Sequence, residues 1–197
     1  MKPLHTVLIT VAVILLLAVF SFMGKYNQLV ARDEAVKTAW AQVENVYQRR
    51  LDLIPNLVAT VKGYAAHEQK TLQGVVEARA KLTQVSLTSD AINNPETLQK
   101  FQALQSQMSG ALSRLLAVAE QYPDLKANQN FLALQTQLEG TENRIAVERN
   151  RFNEAAQAFN TMRRTFPASM IANLFGFKEK SYFKAEAEAA KAPKVEF

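Results

Sequence analysis

The most distinctive pattern in the chain is an apolar run near its N-terminus. The twenty residues from Leu4 to Met23 include no charged side chain, and sixteen of them are apolar. A helix of that length rises about 30 Å, which matches the hydrocarbon core of a bilayer. A secretory signal peptide is the alternative, but its apolar region is usually about 7–15 residues long and ends at a small-residue cleavage site. Residues 21–26 do not resemble such a site, so the run predicts an uncleaved transmembrane helix at 4–24.

Beyond the run, prolines separate long segments in which apolar residues recur with helical spacing, and no strand-like alternation occurs. Four helices are expected, at about 25–50, 53–85, 95–122 and 128–164. Asp52 would cap the second helix with Pro55 in its first turn, and Asn94 would cap the third. The clearest register is in the fourth helix, with apolar residues at intervals of seven: Phe131, Leu138, Ile145, Phe152 and Phe159.

The predicted fold class is therefore all-α. The N-terminal transmembrane helix continues into an antiparallel up-down-up-down bundle of long helices over residues 25–165. Trp40, Tyr64 and Phe101 are expected in its core.

In an up-down-up-down bundle the fourth helix runs back toward the bilayer. The fourth helix is about 55 Å long, more than the roughly 39 Å expected for the part of the first helix outside the membrane. This difference favours direct contact between the end of the fourth helix and the bilayer. An aromatic amphipathic segment follows at 166–183, and residues 184–197 are expected to be a frayed or disordered tail. The segment's candidate membrane-contact residues are Phe166, Ile171, Leu174, Phe175, Phe177, Tyr182 and Phe183.

Lys178, Lys180 and Lys184 lie among these aromatic residues and are expected to meet anionic lipid headgroups. The alternative interpretation of the segment is a short helix that closes the open end of the bundle core.

Polar residues are denser at the predicted turn than a helical hairpin requires: Arg49, Arg50, Asp52 and Asn56. The candidate polar network consists of Arg49, Arg50, Asp52, Glu142 and Arg144. The arginines at 49 and 50 are expected to pair with acids, and the polar stretch 141–144 is expected to form a buried layer that fixes helix register, with Arg79 or Arg114 as partners of Glu142. The alternative is that the arginines bind an anion near a helix N-terminus.

Composition narrows the chemistry. There is no cysteine, the only histidines are His5 and His67, and no Glu-x-x-His pair occurs, so neither a cofactor nor a metal site is predicted. A carboxylate site from Glu44, Glu68, Glu142 and Glu148 is the remaining metal alternative. The net charge is +5, but the 23 basic residues are dispersed along the chain and mixed with 18 acidic ones. This distribution argues against a nucleic-acid partner. No catalytic residue and no small-molecule substrate is indicated.

The orientation in the membrane is ambiguous from the flanking charges. Lys2 precedes the span, whereas Lys25, Arg32 and Lys37 follow it, a bias that favours a cytoplasmic C-terminal domain. A very short basic N-terminus is instead typical of a signal anchor whose C-terminal domain is exported. We favour the extracytoplasmic side of the membrane.

Several short motifs resemble those of the LemA family. They are YNQLV at 26–30, AW at 39–40, RRLDLIPNLV at 49–58, TVKGYA at 60–65, HE at 67–68, EQYP at 120–123, LKAN at 125–128 and TENRI at 141–145. The resemblance covers residues 25 to about 183 and implies a bacterial membrane protein with one N-terminal span and a helical-bundle domain. It implies no known catalytic residue. The chain is also similar in outline to a group of magnetosome membrane proteins.

The expected function is that of a non-enzymatic, membrane-anchored scaffold or adaptor of the bacterial cell envelope. Its partners would be membrane lipids and proteins, including copies of itself as a homo-oligomer. The first alternative is a membrane-remodelling or lipid-surface-binding protein. The second is an enzyme accessory subunit with a carboxylate metal site in the bundle.

Overall fold

A computed structural model describes residues 2–84 and 89–184, so the predicted tail lies outside the described residues from position 185 onward. Over the described ranges the chain is helical and contains no strand, which confirms the all-α fold class.

The first helix, α1, runs without interruption over Lys2–Tyr64. Its N-terminal part is long and apolar enough to cross a membrane, and the large apolar side chains from Val7 to Met23 are exposed on the protein surface. At 1.5 Å per residue, α1 is about 95 Å long, of which roughly 60 Å lies beyond Gly24. The expected continuity between the apolar run and the bundle is thus present.

The prediction that the chain turns at Asp52 and Pro55 is wrong, because Pro55 lies inside α1. A proline within a helix removes one hydrogen bond to the carbonyl four residues earlier, here that of Leu51. Arg79 of the neighbouring helix donates its Nε–H to this carbonyl at 3.2 Å, which compensates in part for the lost bond. Asp52 is not a cap and accepts a hydrogen bond from Gln48 within α1 at 2.7 Å.

The remaining helices are shorter than α1. They are α2 (Gln69–Thr83), a 3₁₀ turn (Ser89–Asn93), α3 (Pro95–Ala119), α4 (Pro123–Lys126), α5 (Gln129–Arg164) and α6 (Ala168–Leu174). The second helix therefore begins near 69 rather than 53. The antiparallel pair α1 and α5 forms most of the bundle, α2 packs mainly on α3, and α6 packs on α1 and α5.

The predicted N-cap of α3 is confirmed, since Asn94 Oδ1 accepts hydrogen bonds from the amides of Glu96 and Thr97 at 3.0 and 3.3 Å. Asn128 caps α5 in the same way through the Phe131 amide at 3.0 Å. Both side chains satisfy donors that the helix itself leaves unpaired.

The core follows the predicted register. All five residues of the heptad series on α5 are buried, as are Trp40 and Phe101. The Trp40 ring lies 5.4 Å from Phe152 and 6.1 Å from Phe101, in edge-to-face contacts that aromatic pairs favour. Tyr64 is a wrong prediction: it lies at the exposed end of α1, where its hydroxyl accepts a hydrogen bond from Asn128.

Candidate functional site

The aromatic segment after Pro167 divides into a helix, α6, and an extended strap, defined here as residues 177–184. Gly176 separates them with φ of 71°, a conformation that favours glycine because it has no Cβ. The strap then runs back along α5, since residue 180 binds at Asn160 and residue 183 at Asn153. The segment thus turns away from the transmembrane end of the bundle.

Four large apolar residues at this end are exposed and form what we call the apolar collar: Phe166, Met170, Leu174 and Phe175. Phe166 and Leu174 are the most exposed, at 81% and 72%. The Phe175 ring lies 4.7 Å from Tyr26 and 6.1 Å from Phe22, the last aromatic residue of the apolar run. The collar is therefore level with the end of the span.

Part of the predicted membrane-contact set does not belong to this surface. Ile171 and Phe183 are buried, with 1% and 5% of their surface exposed, and are not available to lipid. Phe183 instead stacks on Trp40, with ring centroids 5.9 Å apart, and Phe177 packs against the core. Tyr182 lies on the strap and accepts a hydrogen bond from Asn160 at 2.9 Å. The core-capping interpretation is therefore correct for the strap, whereas α6 and the residues that flank it leave the collar exposed, and its contact with lipid stays a prediction.

Two asparagines on α5 hold the strap by its backbone. Asn160 accepts from the Lys180 amide and donates to the Lys180 carbonyl, at 2.9 and 2.8 Å. Asn153 makes the same pair of bonds to Phe183, at 2.9 and 3.0 Å. Sequence reasoning missed both residues. Their spacing of seven, one position after Phe152 and Phe159, places them on one helix face and was the available signal.

The predicted lipid contact of Lys180 is wrong, because its ammonium group is buried. It forms an ion pair with Asp33 at 2.7 Å, donates to Asn93 at 2.9 Å and lies 5.0 Å from the centre of the Phe159 ring. Lys184 lies away from the transmembrane end of the bundle, because its carbonyl accepts a hydrogen bond from Arg149, about 22 Å along α5 from Arg164.

Asp33 also pairs with Lys37 at 2.9 Å. Burial acts to raise the pKa of Asp33, but the hydrogen bonds from Lys180 and Lys37 outweigh it and lower that pKa. Hydrogen bonds to Glu34 and Asp33 raise the pKa of Lys37 to about 12. Both shifts favour the charged forms of Asp33 and Lys37.

The predicted polar network reduces to Arg50 and Glu142. Arg50 is 1% exposed and donates to Glu142 at 2.7 Å, to Ser109 at 3.1 Å and to Gln105, which joins α1, α3 and α5. Arg49 and Arg144 are exposed and lie outside this cluster, as does Asp52. Neither expected partner binds Glu142: Arg79 binds the Leu51 carbonyl, and Arg114 is exposed on α3.

The carboxylates of the metal alternative are not brought together. Each contacts a different partner: Trp40 for Glu44, Tyr122 for Glu68, Arg50 for Glu142 and Arg151 for Glu148. Within residues 2–84 and 89–184, no three potential metal ligands cluster.

The fold and this surface define a class of protein: a helical bundle that continues one apolar N-terminal helix and exposes apolar residues around the helix's exit. Residues 39–197 match the model of the LemA family, and the chain belongs to that family.

Curated relatives include magnetosome proteins. Magnetosome protein MamQ 2 of Paramagnetospirillum magneticum is 27% identical over 198 residues, covering 92% of this chain and 73% of the relative. Magnetosome protein MamQ of Magnetospirillum gryphiswaldense is also 27% identical, covering 89% and 71%. Protein LemA of Metamycoplasma hominis is 26% identical, covering 84% and 72%.

Proposed function

We propose that this chain is a non-enzymatic scaffold of a bacterial membrane, anchored by one span and seated on the bilayer by its apolar collar. The supporting observation is the continuity between span and collar. Phe175 packs on Phe22 and Tyr26, so α6 holds its exposed apolar side chains at the depth where the apolar run ends. Burying such residues in a membrane interface is favourable by about 25 cal/mol per Å² of apolar surface.

Two membrane contacts, the span and the collar, restrict the orientation of the bundle far more than the span alone. A bundle held in one orientation presents the same faces at a constant distance from the membrane, and tethering raises its effective concentration toward partners in the same membrane. The two buried polar clusters support the scaffold role, because each ties several elements of the bundle together. Arg50, through its two terminal nitrogens, and Lys180 each join several elements by an ion pair and hydrogen bonds, an arrangement that favours one helix register.

The lipid-surface alternative is included in this proposal, because the collar is itself a lipid-binding surface. The structure offers no support for the metal-site alternative, since the four carboxylates it needs contact four different partners.

Crosslinking of the full chain in native membranes, read out by mass spectrometry, tests the scaffold role. Exposed lysines on the bundle supply the reactive groups: Lys62, Lys70, Lys81 and Lys100. A mixture of isotopically light and heavy copies separates self-association from internal crosslinks. The proposal predicts a reproducible set of intermolecular crosslinks to copies of this chain or to other proteins. Internal crosslinks alone would contradict it.

An extracytoplasmic position of the bundle is part of the proposal. Because the chain has no cysteine, a single Gln73→Cys substitution at an exposed position of α2 provides a unique label site. A membrane-impermeant maleimide should label it in intact spheroplasts. Labelling only after the membrane is permeabilised would place the bundle in the cytoplasm instead.

A further inference from the structure

A groove of about 260 Å³ lies beside the collar, between the start of the bundle part of α1 and the junction of α5 with α6. Its α1 side carries Lys25, Gln28 and Arg32, which share one helix face because their spacings are three and four. The opposite side is formed by Met162, Thr165 and Phe166, among others. The groove is therefore cationic on one wall and mixed polar and apolar on the other.

The position of this groove relative to the bilayer follows from α1. Lys25 comes two residues after the last residue of the apolar run, and Arg32 is about 10 Å farther along the helix. Side chains on a helix lean toward its N-terminus, which for α1 lies in the span. Lys25 and Arg32 thus lean toward the region of the lipid headgroups, which extends several ångströms beyond the hydrocarbon core.

Among residues 2–84 and 89–184, no acidic side chain pairs with the two cations of this groove, Lys25 and Arg32. The nearest acids in sequence are engaged elsewhere: Asp33 pairs with Lys37 and Lys180, and Glu34 pairs with Lys37. Two cations therefore face one groove without an anionic partner from nearby in the sequence.

We propose that this groove binds the phosphate group of an anionic phospholipid. A guanidinium group matches a phosphate through two parallel hydrogen bonds, and the Lys25 ammonium adds a second positive charge below it. Phe166, which lines the groove and is 81% exposed, supplies apolar surface for an acyl chain leading from that phosphate. This proposal rests on the proposed contact of the collar with the bilayer, because that contact brings the groove to the depth of the lipid headgroups.

Native mass spectrometry of the full chain in detergent tests the site. The probes are phosphatidylglycerol, phosphatidylcholine and inorganic phosphate, each titrated separately. The test variant is Lys25→Gln with Arg32→Gln. The matched control is Lys62→Gln with Arg114→Gln, which removes the same charge from exposed positions far from the groove.

The proposal predicts that phosphatidylglycerol binds the wild type at least tenfold more tightly than phosphatidylcholine. It also predicts that the test variant loses this preference and that the control keeps it. Equal loss in both variants would show an effect of net charge and overturn the site. Binding of inorganic phosphate as tight as that of phosphatidylglycerol would overturn the lipid assignment.

A failure of the proposed lipid binding in the groove can be distinguished from a failure of the proposed membrane contact of the collar. Spin labels at the collar report its depth independently of any bound lipid. A buried collar combined with an unchanged lipid preference in the test variant would overturn this inference alone.

Discussion

The two members of the Arg50–Glu142 ion pair differ in burial. The Arg50 side chain is 2% exposed, whereas that of its partner Glu142 is 41% exposed. Water can therefore hydrate the carboxylate when the pair is broken, but it cannot reach the guanidinium group in the same way. The two halves of the ion pair should contribute unequally to stability.

We expect Glu142→Ala to lower the free energy of unfolding by about 3 kcal/mol, because it leaves a buried, uncompensated charge. Arg50→Met should cost less, about 1–2 kcal/mol, since Glu142 regains water and only Gln105 and Ser109 lose a donor. Urea unfolding of the full chain in detergent, followed by circular dichroism, measures both. The exposed Arg144→Met serves as control, with a change of at most about 0.5 kcal/mol. A larger loss for Arg50→Met than for Glu142→Ala would contradict the argument.

Glu44 is a second residue whose environment works against its charge. Burial raises its pKa, and a hydrogen bond from Trp40 Nε1 at 2.8 Å offsets this only in part. A carboxyl group with a raised pKa in the folded state destabilises the fold when ionised, so the penalty is present at neutral pH and disappears as the pH falls below 4.5.

Glu44→Gln should therefore raise the thermal unfolding temperature at pH 7, because an amide oxygen still accepts from Trp40 without carrying a charge. The gain over wild type should shrink as the acid range is reached. Unfolding temperatures of both proteins across this pH range check the prediction. A lower unfolding temperature for the variant at pH 7 would show that the ionised carboxylate is favourable.

At the scale of elements, the sequence predicted the helices better than it predicted their ends. The heptad series on α5 and the Asn94 cap were correct because they depend on local periodicity and local hydrogen bonding. The turn at Pro55 was wrong because a contact distant in sequence decides it. Arg79 supplies a donor from α2, and no local pattern in α1 reveals that donor. The partner of Glu142 was missed for the same reason, being 92 positions away.

A double-mutant cycle on Pro55 and Arg79 tests this explanation. Arg79→Ala should cost about 1 kcal/mol in the wild-type background, because the Leu51 carbonyl loses its donor. With Pro55→Ala, residue 55 regains an amide that can bond to Leu51, so the cost should fall. The expected coupling is about 0.5–1 kcal/mol, measured by urea unfolding. Strict additivity of the two substitutions would refute the compensation.

The strap depends on the asparagine pair of α5. Asn160→Ala removes both side-chain bonds to the Lys180 backbone, each worth about 0.5–1.5 kcal/mol. Amide exchange within residues 177–184 should become about tenfold faster or more in hydrogen–deuterium exchange. Asn150→Ala, at an exposed position of the same helix, should leave exchange unchanged. Unaltered strap protection in the Asn160 variant would show that Phe183 and Lys180 suffice to hold it.

For the whole molecule, the aromatic segment was the least predictable part. Its composition is equally compatible with a lipid surface and with a core cap, and residues only a few positions apart serve the two roles. Leu174 is exposed on the collar, while Ile171 is buried three positions earlier. The prediction that the fourth helix is longer than the first helix outside the membrane is wrong, because α1 extends roughly 60 Å beyond Gly24 and α5 is about 54 Å long. The end of α5 nevertheless lies near the span because α6 packs against α1.

The most direct test of the account is the depth of the collar in a bilayer. Single-cysteine variants Met170→Cys and Leu132→Cys place a nitroxide label on the collar and at the opposite end of α5, in a chain with no other cysteine. Collision rates with oxygen, which partitions into lipid, and with a water-soluble nickel complex are then measured for the full chain in liposomes. We predict lipid-like accessibility at position 170 and water-like accessibility at position 132. Water-like accessibility at both positions would contradict the proposed seating of the bundle on the membrane.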